Sequence, residues 1–182
     1  MSDFTAELAK LHQLTGAEFS RQVERIALRK EFHPLKTDDK IFTVGGEKSD
    51  DYPNLLIAAR KAVEFGIKVY MLPNPTGTRT PDFIFEKKGV YRAYDLKTVF
   101  GKASVGGSLI DSIGQCNRVL LNLQVDYSTR SLAIAIRQYF EVNKKAIEVL
   151  VFKGGRHFSI TRIIAMRSDY LVLFKKAYER FR

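Results

Sequence analysis

Three polar residues in the middle of the sequence have the types and the spacing to bind a divalent cation. Asp82 follows a proline at the start of a predicted strand, and Asp95 and Lys97 lie two residues apart on the next predicted strand. Because side chains two residues apart on a strand point to the same face, Asp95 and Lys97 should project together. A hairpin of this length can also set Asp82 beside Asp95.

Paired carboxylates of this kind indicate metal-assisted phosphate chemistry. Two neighbouring carboxylates repel each other, and a divalent cation relieves the repulsion. Ligands that are all oxygen atoms favour Mg²⁺ or Mn²⁺ over zinc. The ion would polarise a phosphoryl oxygen and lower the pKa of a bound water, which Lys97 could orient. The structural alternative is that Lys97 pairs with a carboxylate at the sheet surface and Asp82 caps the turn after Pro81.

The hydrophobic pattern around these residues predicts an α/β arrangement around a mixed sheet. The strands that carry the polar residues are predicted at 82–86 and 90–100. Before them the pattern predicts two helices within residues 1–35, a short strand at 41–44, a helix at 53–65 that Gly66 ends, and a strand at 67–72. After them it predicts a helix beginning near Ser108, a buried parallel-type strand at 118–125, a helix at 128–143, two strands joined by a hairpin at Gly154-Gly155, and a final helix at 168–182.

The first 40 residues are predicted to form an N-terminal helical segment, separate from a main domain over residues 41–182. The second helix of the segment begins with a capping box, Thr15 to Glu18. His33-Pro34 should end that helix, because the residue before a proline avoids helical dihedral angles.

The composition favours a polyanionic partner. The 182 residues include 30 Lys and Arg against 20 Asp and Glu, a formal charge of +10. Charge of this sign attracts nucleic acid, acidic lipid or an acidic protein. No apolar run approaches the length that spans a bilayer, so we expect no membrane insertion and a cytoplasmic site of action, with delivery by a larger protein left open. The single cysteine, Cys116, has apolar neighbours that predict a buried thiol.

Basic residues around the acidic pair are the candidate nucleic-acid contacts. Arg79 precedes the pair, and Lys102 follows it in a glycine-rich loop whose backbone can approach a phosphate. Arg130 and Arg137 belong to a basic stripe that repeats every seven residues along the helix predicted at 128–143. The stripe is either a binding surface or a solvated face. Contacts of this type bind RNA or DNA phosphates without reading sequence.

The element order, with Pro81-Asp82 and Asp95-Leu96-Lys97, resembles the PD-(D/E)xK nuclease superfamily, which has a restriction-endonuclease-like fold. The resemblance covers an α-β-β-β-α-β core over roughly residues 53 to 125. Within that superfamily the chain looks similar to the C-terminal tRNase toxin domains of bacterial contact-dependent growth-inhibition proteins. The segments that carry this likeness are 68–74, 80–85, 94–98 and 114–123.

The resemblance implies roles for individual residues. Asp82 and Asp95 would bind Mg²⁺ or Mn²⁺, the backbone carbonyl of Leu96 would complete the site, and Lys97 would assist catalysis. The family places a glutamine on its second core helix, which Gln115 matches.

The family also commonly adds an acidic residue from the first core helix or from the residues just before it. Glu47, Asp50, Asp51 and Glu64 are the candidates here, and the sequence does not choose among them; Asp50 and Asp51 can also be explained as helix caps, which leaves Glu47 and Glu64 as possible additional ligands.

A metal-dependent endonuclease that cleaves RNA, in particular tRNA, as a bacterial toxin-type domain is therefore the implied function. An acidic immunity protein would be its partner. Two alternatives stay open. One is a non-catalytic nucleic-acid-binding module, and the other is a DNA nuclease or accessory protein of a phage or mobile element.

Overall fold

The computed structural model describes residues 2–46, 48–74, 78–101 and 105–180, with side chains from residue 4 onward. Its helices are α1 (Ser2–Lys10), α2 (Gly16–Ala27), α3 (Tyr52–Glu64), α4 (Val105–Asp111), α5 (Thr129–Val142), α6 (Arg162–Ala165) and α7 (Tyr170–Glu179). Its strands are β1 (His33–Leu35), β2 (Asp38–Thr43), β3 (Lys68–Met71), β4 (Phe83–Lys87), β5 (Val90–Val99), β6 (Arg118–Leu123), β7 (Glu148–Lys153) and β8 (Arg156–Thr161). The predicted α/β class is confirmed, and no helix among the described residues is long and apolar enough to cross a membrane.

The chain folds as two compact units, the first made of residues 1–95 and 114–116 and the second of residues 96–113 and 117–182. Residues 1–40 belong to the first unit rather than forming a segment of their own. Buried side chains of α1 and α2 share one hydrophobic cluster with side chains of β3 and β4; among them are Leu8, Phe19, Val23, Tyr70 and Ile84. The packing therefore joins the first 40 residues to the strands that follow them, and the division of the chain falls after Asp95.

The sheet of the first unit is mixed. β1 and β2 are antiparallel, β2 and β3 are parallel, and β3, β4 and β5 continue as antiparallel neighbours. A parallel pair requires a crossover connection, and α3 supplies it between β2 and β3. The carboxyl ends of β2 and β3 therefore share one edge of this sheet with the beginning of β4.

The beginning of the chain departs from the sequence prediction in two places. His33 and Pro34 do not end a helix; α2 already ends at Ala27, and both residues lie in β1. A proline fits there because β1 pairs with β2 at the edge of the sheet, where one missing N–H is tolerated. Thr15 is the N-cap of α2, but its side chain makes no capping hydrogen bond with the described residues. The predicted capping box is therefore wrong.

The second unit contains the predicted buried parallel strand. β6 and β7 are parallel, with Leu120 opposite Leu150, and β7 and β8 form an antiparallel hairpin. Gly154 turns this hairpin with φ +55, a conformation that glycine adopts without strain. The predicted hairpin at Gly154-Gly155 is confirmed.

Arg162 binds backbone carbonyls at the C-terminal end of α5. The guanidinium of Arg162 donates to the carbonyl of Phe140 at 2.8 Å, to the carbonyl of Ala146 at 3.1 Å, and to the carbonyl of Asn143. The last carbonyls of a helix have no partner within the helix and carry partial negative charge. Arg162 therefore satisfies these acceptors and opposes the helix dipole.

Replacing Arg162 with leucine should lower the free energy of unfolding by about 3 kcal/mol, because partly buried carbonyls lose charged donors. Urea denaturation monitored by circular dichroism measures the change. Arg130→Leu is the matched control, since Arg130 is exposed in the first turn of the same helix. Equal losses in the two variants would show that the three contacts of Arg162 contribute no stability.

Helix α7 is attached to the loop between β6 and α5 through a buried tyrosine. The hydroxyl of Tyr178 accepts the N–H of Tyr127 at 3.1 Å and donates to the carbonyl of the same residue at 3.0 Å. At the other end of α7 the hydroxyl of Tyr170 donates to the carbonyl of Ala133 at 3.0 Å. Burial raises the pKa of Tyr170, so its hydroxyl stays protonated and remains a donor.

Candidate active site

The structure brings Asp82 and Asp95 side by side on neighbouring strands. The ladder between β4 and β5 ends with Phe83 opposite Tyr94. Asp82 precedes Phe83 and Asp95 follows Tyr94, so the two aspartates face each other just beyond this last pair. The N–H of Asp82 donates to the carbonyl of Tyr94 at 2.9 Å, which keeps the backbones together beyond the last registered pair. The turn of Lys87 to Gly89 sets this register.

The two aspartates also lie on the same face of the sheet. The N–H of Leu72 donates to the carbonyl of Asp82 at 2.9 Å, so Leu72 and Asp82 are cross-strand neighbours. Leu72 belongs to one buried cluster with Ile84 and Ala93, which are directly opposite each other on β4 and β5. Because side chains alternate along a strand, Asp82 and Asp95 project to the face of this cluster.

The surroundings of the two carboxylates favour a nearby positive charge. Asp95 is only 1% exposed, whereas Asp82 is partly exposed. Burying a carboxylate is costly unless charged or polar groups compensate it, and a second carboxylate beside it adds repulsion. A cation bound from the side of Asp82 would place a positive charge beside both carboxylates.

Strand β5 continues without a break from Asp95 through Leu96 and Lys97 to Val99. Lys97 is partly buried, and by alternation its side chain leaves the strand on the same side as Asp95. The side chain of Leu96 is buried, leaves on the opposite side and carries no oxygen, so the only group that Leu96 could contribute to a metal site is its backbone carbonyl.

The oxygen donors of Asp82, Asp95 and the Leu96 carbonyl fit a small hard cation. Mg²⁺ is commonly held by one or two carboxylates, keeps several waters and takes further oxygens from a phosphate. Within the described ranges no group of three or more His, Cys, Asp or Glu side chains is arranged to hold a metal. The fit therefore depends on two carboxylates.

The structure does not bring Glu64 to this pair. Glu64 ends α3, and the carbonyl of the next residue, Phe65, accepts a hydrogen bond from the ammonium of Lys87 at 3.0 Å. Lys87 ends β4, whereas Asp82 precedes its first residue, and five residues of strand span roughly 16 Å. Glu64 therefore lies at the opposite end of β4. The other candidate, Glu47, lies outside the described residues.

Two of the predicted nucleic-acid contacts, Arg79 and Gln115, are brought together near β5. A guanidinium nitrogen of Arg79 lies 3.6 Å from where a Cβ on Gly114 would stand, and Gly114 has φ +86, which favours glycine. Gln115 follows, and the thiol of buried Cys116 donates to the carbonyl of Ala93 at 3.2 Å. The predicted burial of Cys116 is confirmed. Lys102 lies outside the described residues.

Arg137 makes contacts within the second unit that the sequence did not predict. Its guanidinium donates to the carbonyls of Ala165 at 2.9 Å and Arg167 at 2.8 Å, and lies 4.7 Å from the ring centroid of Tyr170. These contacts hold α5 to the chain around α6 and α7, and a nucleic-acid contact by Arg137 stays a prediction. Arg130 is exposed, as a binding residue requires.

Sequence reasoning missed a cavity of about 420 Å³ at the sheet edge where Asp82 lies. Lys48, Tyr52 and Asn74 are among its lining residues. The available signal was the pair Gly45-Gly46 after β2, since a loop at the carboxyl end of a strand is a common place for a ligand. Pairing between β2 and β3, which creates this edge, was not predicted.

No protein-family model matches the chain, and no curated protein matches it. Among solved structures it is similar to a chain of the CdiA-CT/CdiI toxin and immunity complex from Burkholderia pseudomallei, with 18% sequence identity and a TM-score of 0.45. The match covers 64% of this chain and 92% of that chain. The likeness assigns neither an activity nor a partner to this chain.

Proposed function

We propose that this protein is a metal-dependent nuclease that hydrolyses phosphodiester bonds in RNA, with tRNA as its substrate, as a bacterial toxin-type domain. The observation that carries the proposal is the placement of Asp82 and Asp95 on one face of neighbouring strands, with Lys97 following on β5. This is the arrangement expected of the motif that resembles the PD-(D/E)xK superfamily.

The residues divide the chemistry between them. The carboxylates of Asp82 and Asp95 and the carbonyl of Leu96 would hold Mg²⁺ or Mn²⁺. When bound, the ion polarises the phosphate and lowers the pKa of a water. The ammonium of Lys97 stabilises negative charge that develops on the phosphate, and its partial burial strengthens that interaction. Arg79 supplies a planar donor for a neighbouring phosphate.

The distribution of charge supports a polyanionic substrate. The second unit holds 15 of the 30 Lys and Arg but only six of the 20 Asp and Glu, so it carries +9 of the formal charge of +10. Lys and Arg side chains bind phosphates without regard to sequence and release counterions. Exposed cations of this unit include Arg130, Lys144 and Lys145.

We further propose an acidic immunity protein as the partner. The same positive charge would attract it and accelerate its association. The domain would act in the cytoplasm of a target cell after delivery as part of a larger protein. The charge of the second unit equally suits a non-catalytic nucleic-acid-binding module, so the experiment must separate binding from cleavage.

The test incubates the purified chain with total tRNA and, separately, with plasmid DNA, each with Mg²⁺, Mn²⁺ or EDTA. We expect metal-dependent fragmentation of tRNA, reduced about a hundredfold by Lys97→Ala because one charge-stabilising group is lost. Cleavage of plasmid instead of tRNA would make the protein a DNA nuclease. Binding without cleavage under any metal condition would overturn the nuclease and favour the binding module.

A further inference from the structure

The cavity of about 420 Å³ lies in the first unit, where parallel strands β2 and β3 end. Its walls are formed by the ends of β2 and β3 and the residues that follow them, by the first turn of α3, and by residues of α1 and the chain at β1, among them Phe4 and Glu31. The volume is within the range of about 300 to 1,000 Å³ that small-molecule pockets occupy. In α/β proteins the carboxyl ends of parallel strands are a favoured place for ligands.

The lining combines apolar walls with a few polar groups. Leu55, Met71 and Pro73 are apolar, and the ring of Tyr52 has the ammonium of Lys48 at 4.6 Å from its centroid. An aromatic ring on an apolar wall suits the face of a nucleobase, and stacking on such rings is a general means of binding single-stranded nucleic acid. Lys48 adds a positive charge suited to a phosphate beside the base.

The polar residue Asn74 completes the match to a base. Its side-chain amide both donates and accepts hydrogen bonds, as the edges of nucleobases do. It is exposed and lines the cavity three residues after the end of β3.

This cavity is one strand away from the paired carboxylates. Leu72 lines the cavity, and its N–H donates to the carbonyl of Asp82 at 2.9 Å. Neighbouring strands are about 4.8 Å apart, so a polymer whose phosphate reaches Asp82 would have an adjacent nucleotide at the cavity.

We propose that the cavity binds the nucleoside of a nucleotide adjacent to the phosphate that is cleaved. The base lies against Tyr52, and its phosphate lies near Lys48. This inference rests on the proposed nuclease function and adds a source of base preference to it. A pocket that presents an amide group to the base can discriminate between bases, whereas phosphate contacts on the second unit do not.

The first experiment uses the absence of tryptophan from the sequence. Tyr52→Trp introduces a single indole, which is excited selectively and quenched when a base stacks on it. The variant is titrated with AMP, GMP, CMP and UMP in EDTA, so that no cleavage occurs. We expect saturable quenching by at least one nucleotide. Ile57→Trp is the matched control, because Ile57 is exposed on the same helix and is not among the residues that line the cavity.

The second experiment compares Tyr52→Ala with Tyr52→Phe in cleavage of tRNA. Loss of the ring should raise KM about tenfold and broaden the set of cleaved positions, whereas phenylalanine keeps the stacking face and should behave like the native residue.

The outcomes separate this inference from the proposed function. No quenching by any nucleotide, with native cleavage by Tyr52→Ala, would overturn the nucleoside pocket and leave the nuclease standing. Quenching in a protein that cleaves no nucleic acid would keep the cavity as a nucleotide site and overturn the nuclease.

Discussion

Replacing Asp82 with asparagine should reduce metal-dependent cleavage by about a thousandfold, because a neutral amide cannot replace a carboxylate as a ligand of Mg²⁺. Asparagine preserves the shape of the side chain and both backbone hydrogen bonds of residue 82. Initial rates of tRNA fragmentation measure the loss, and nitrocellulose filter binding in EDTA should show nearly native affinity for the same tRNA.

Glu64→Gln is the matched control for this change. It also removes one carboxylate from the first unit, but from the opposite end of β4. We expect it to cleave like the native protein. Mn²⁺ should raise the thermal unfolding midpoint of the native protein and of Glu64→Gln, but not of Asp82→Asn, because a bound ligand stabilises only the folded state that holds it. Native cleavage by Asp82→Asn would refute the assigned metal site.

Raising the salt from about 50 mM to about 200 mM should weaken tRNA binding about a thousandfold, as expected for six or more phosphate contacts. The measurement is made on Asp82→Asn in EDTA, so that cleavage does not disturb the equilibrium. The second unit carries +9 of the formal charge. Its exposed cations should therefore provide most of the slope of the logarithm of the binding constant against the logarithm of the salt concentration. A variant with four of them changed to serine should flatten the slope by about three; the four are Arg130, Lys144, Lys145 and Lys176.

The matched control removes the same number of positive charges from the first unit. It changes four exposed cations of that unit to serine: Lys30, Lys36, Lys40 and Arg60. Its slope should stay within about one of the native value. Equal flattening in both variants would mean that net charge alone governs binding and that the second unit has no special part in it.

The sequence predicted elements whose signals are local. The helix predicted at 128–143 is α5 at Thr129–Val142, with Ser128 as its N-cap accepting the N–H of Ser131 and Asn143 as its C-cap. The amphipathic period and the capping residue both lie within that segment, so no other part of the chain was needed. The alternation on β5 is local in the same way, and the type and spacing of Asp95 and Lys97 could be read directly.

Features that depend on distant parts of the chain were missed. A basic residue that repeats every seven positions gives the same pattern whether it meets solvent or another helix. Arg137 meets carbonyls 28 and 30 residues further along, and Arg162 meets carbonyls 16 to 22 residues before it. The β1 strand is three residues long and contains Pro34, so its own sequence has a low propensity to form a strand. Its pairing with β2 outweighs that low propensity. The nucleoside cavity likewise exists only because β2 and β3 pair.

The two hydrogen bonds between Tyr178 and the backbone of Tyr127 make α7 and the loop before α5 a single cooperative unit. If α7 opened by itself, the N–H and the carbonyl of Tyr127 would both lose their partner at a position that is 9% exposed. Since a buried backbone group without a partner is costly, opening of the helix and release of the loop occur together. Fluctuations that begin at Glu179 therefore stop at Tyr178 or continue into the loop that starts α5, with no partly open state of comparable stability between them.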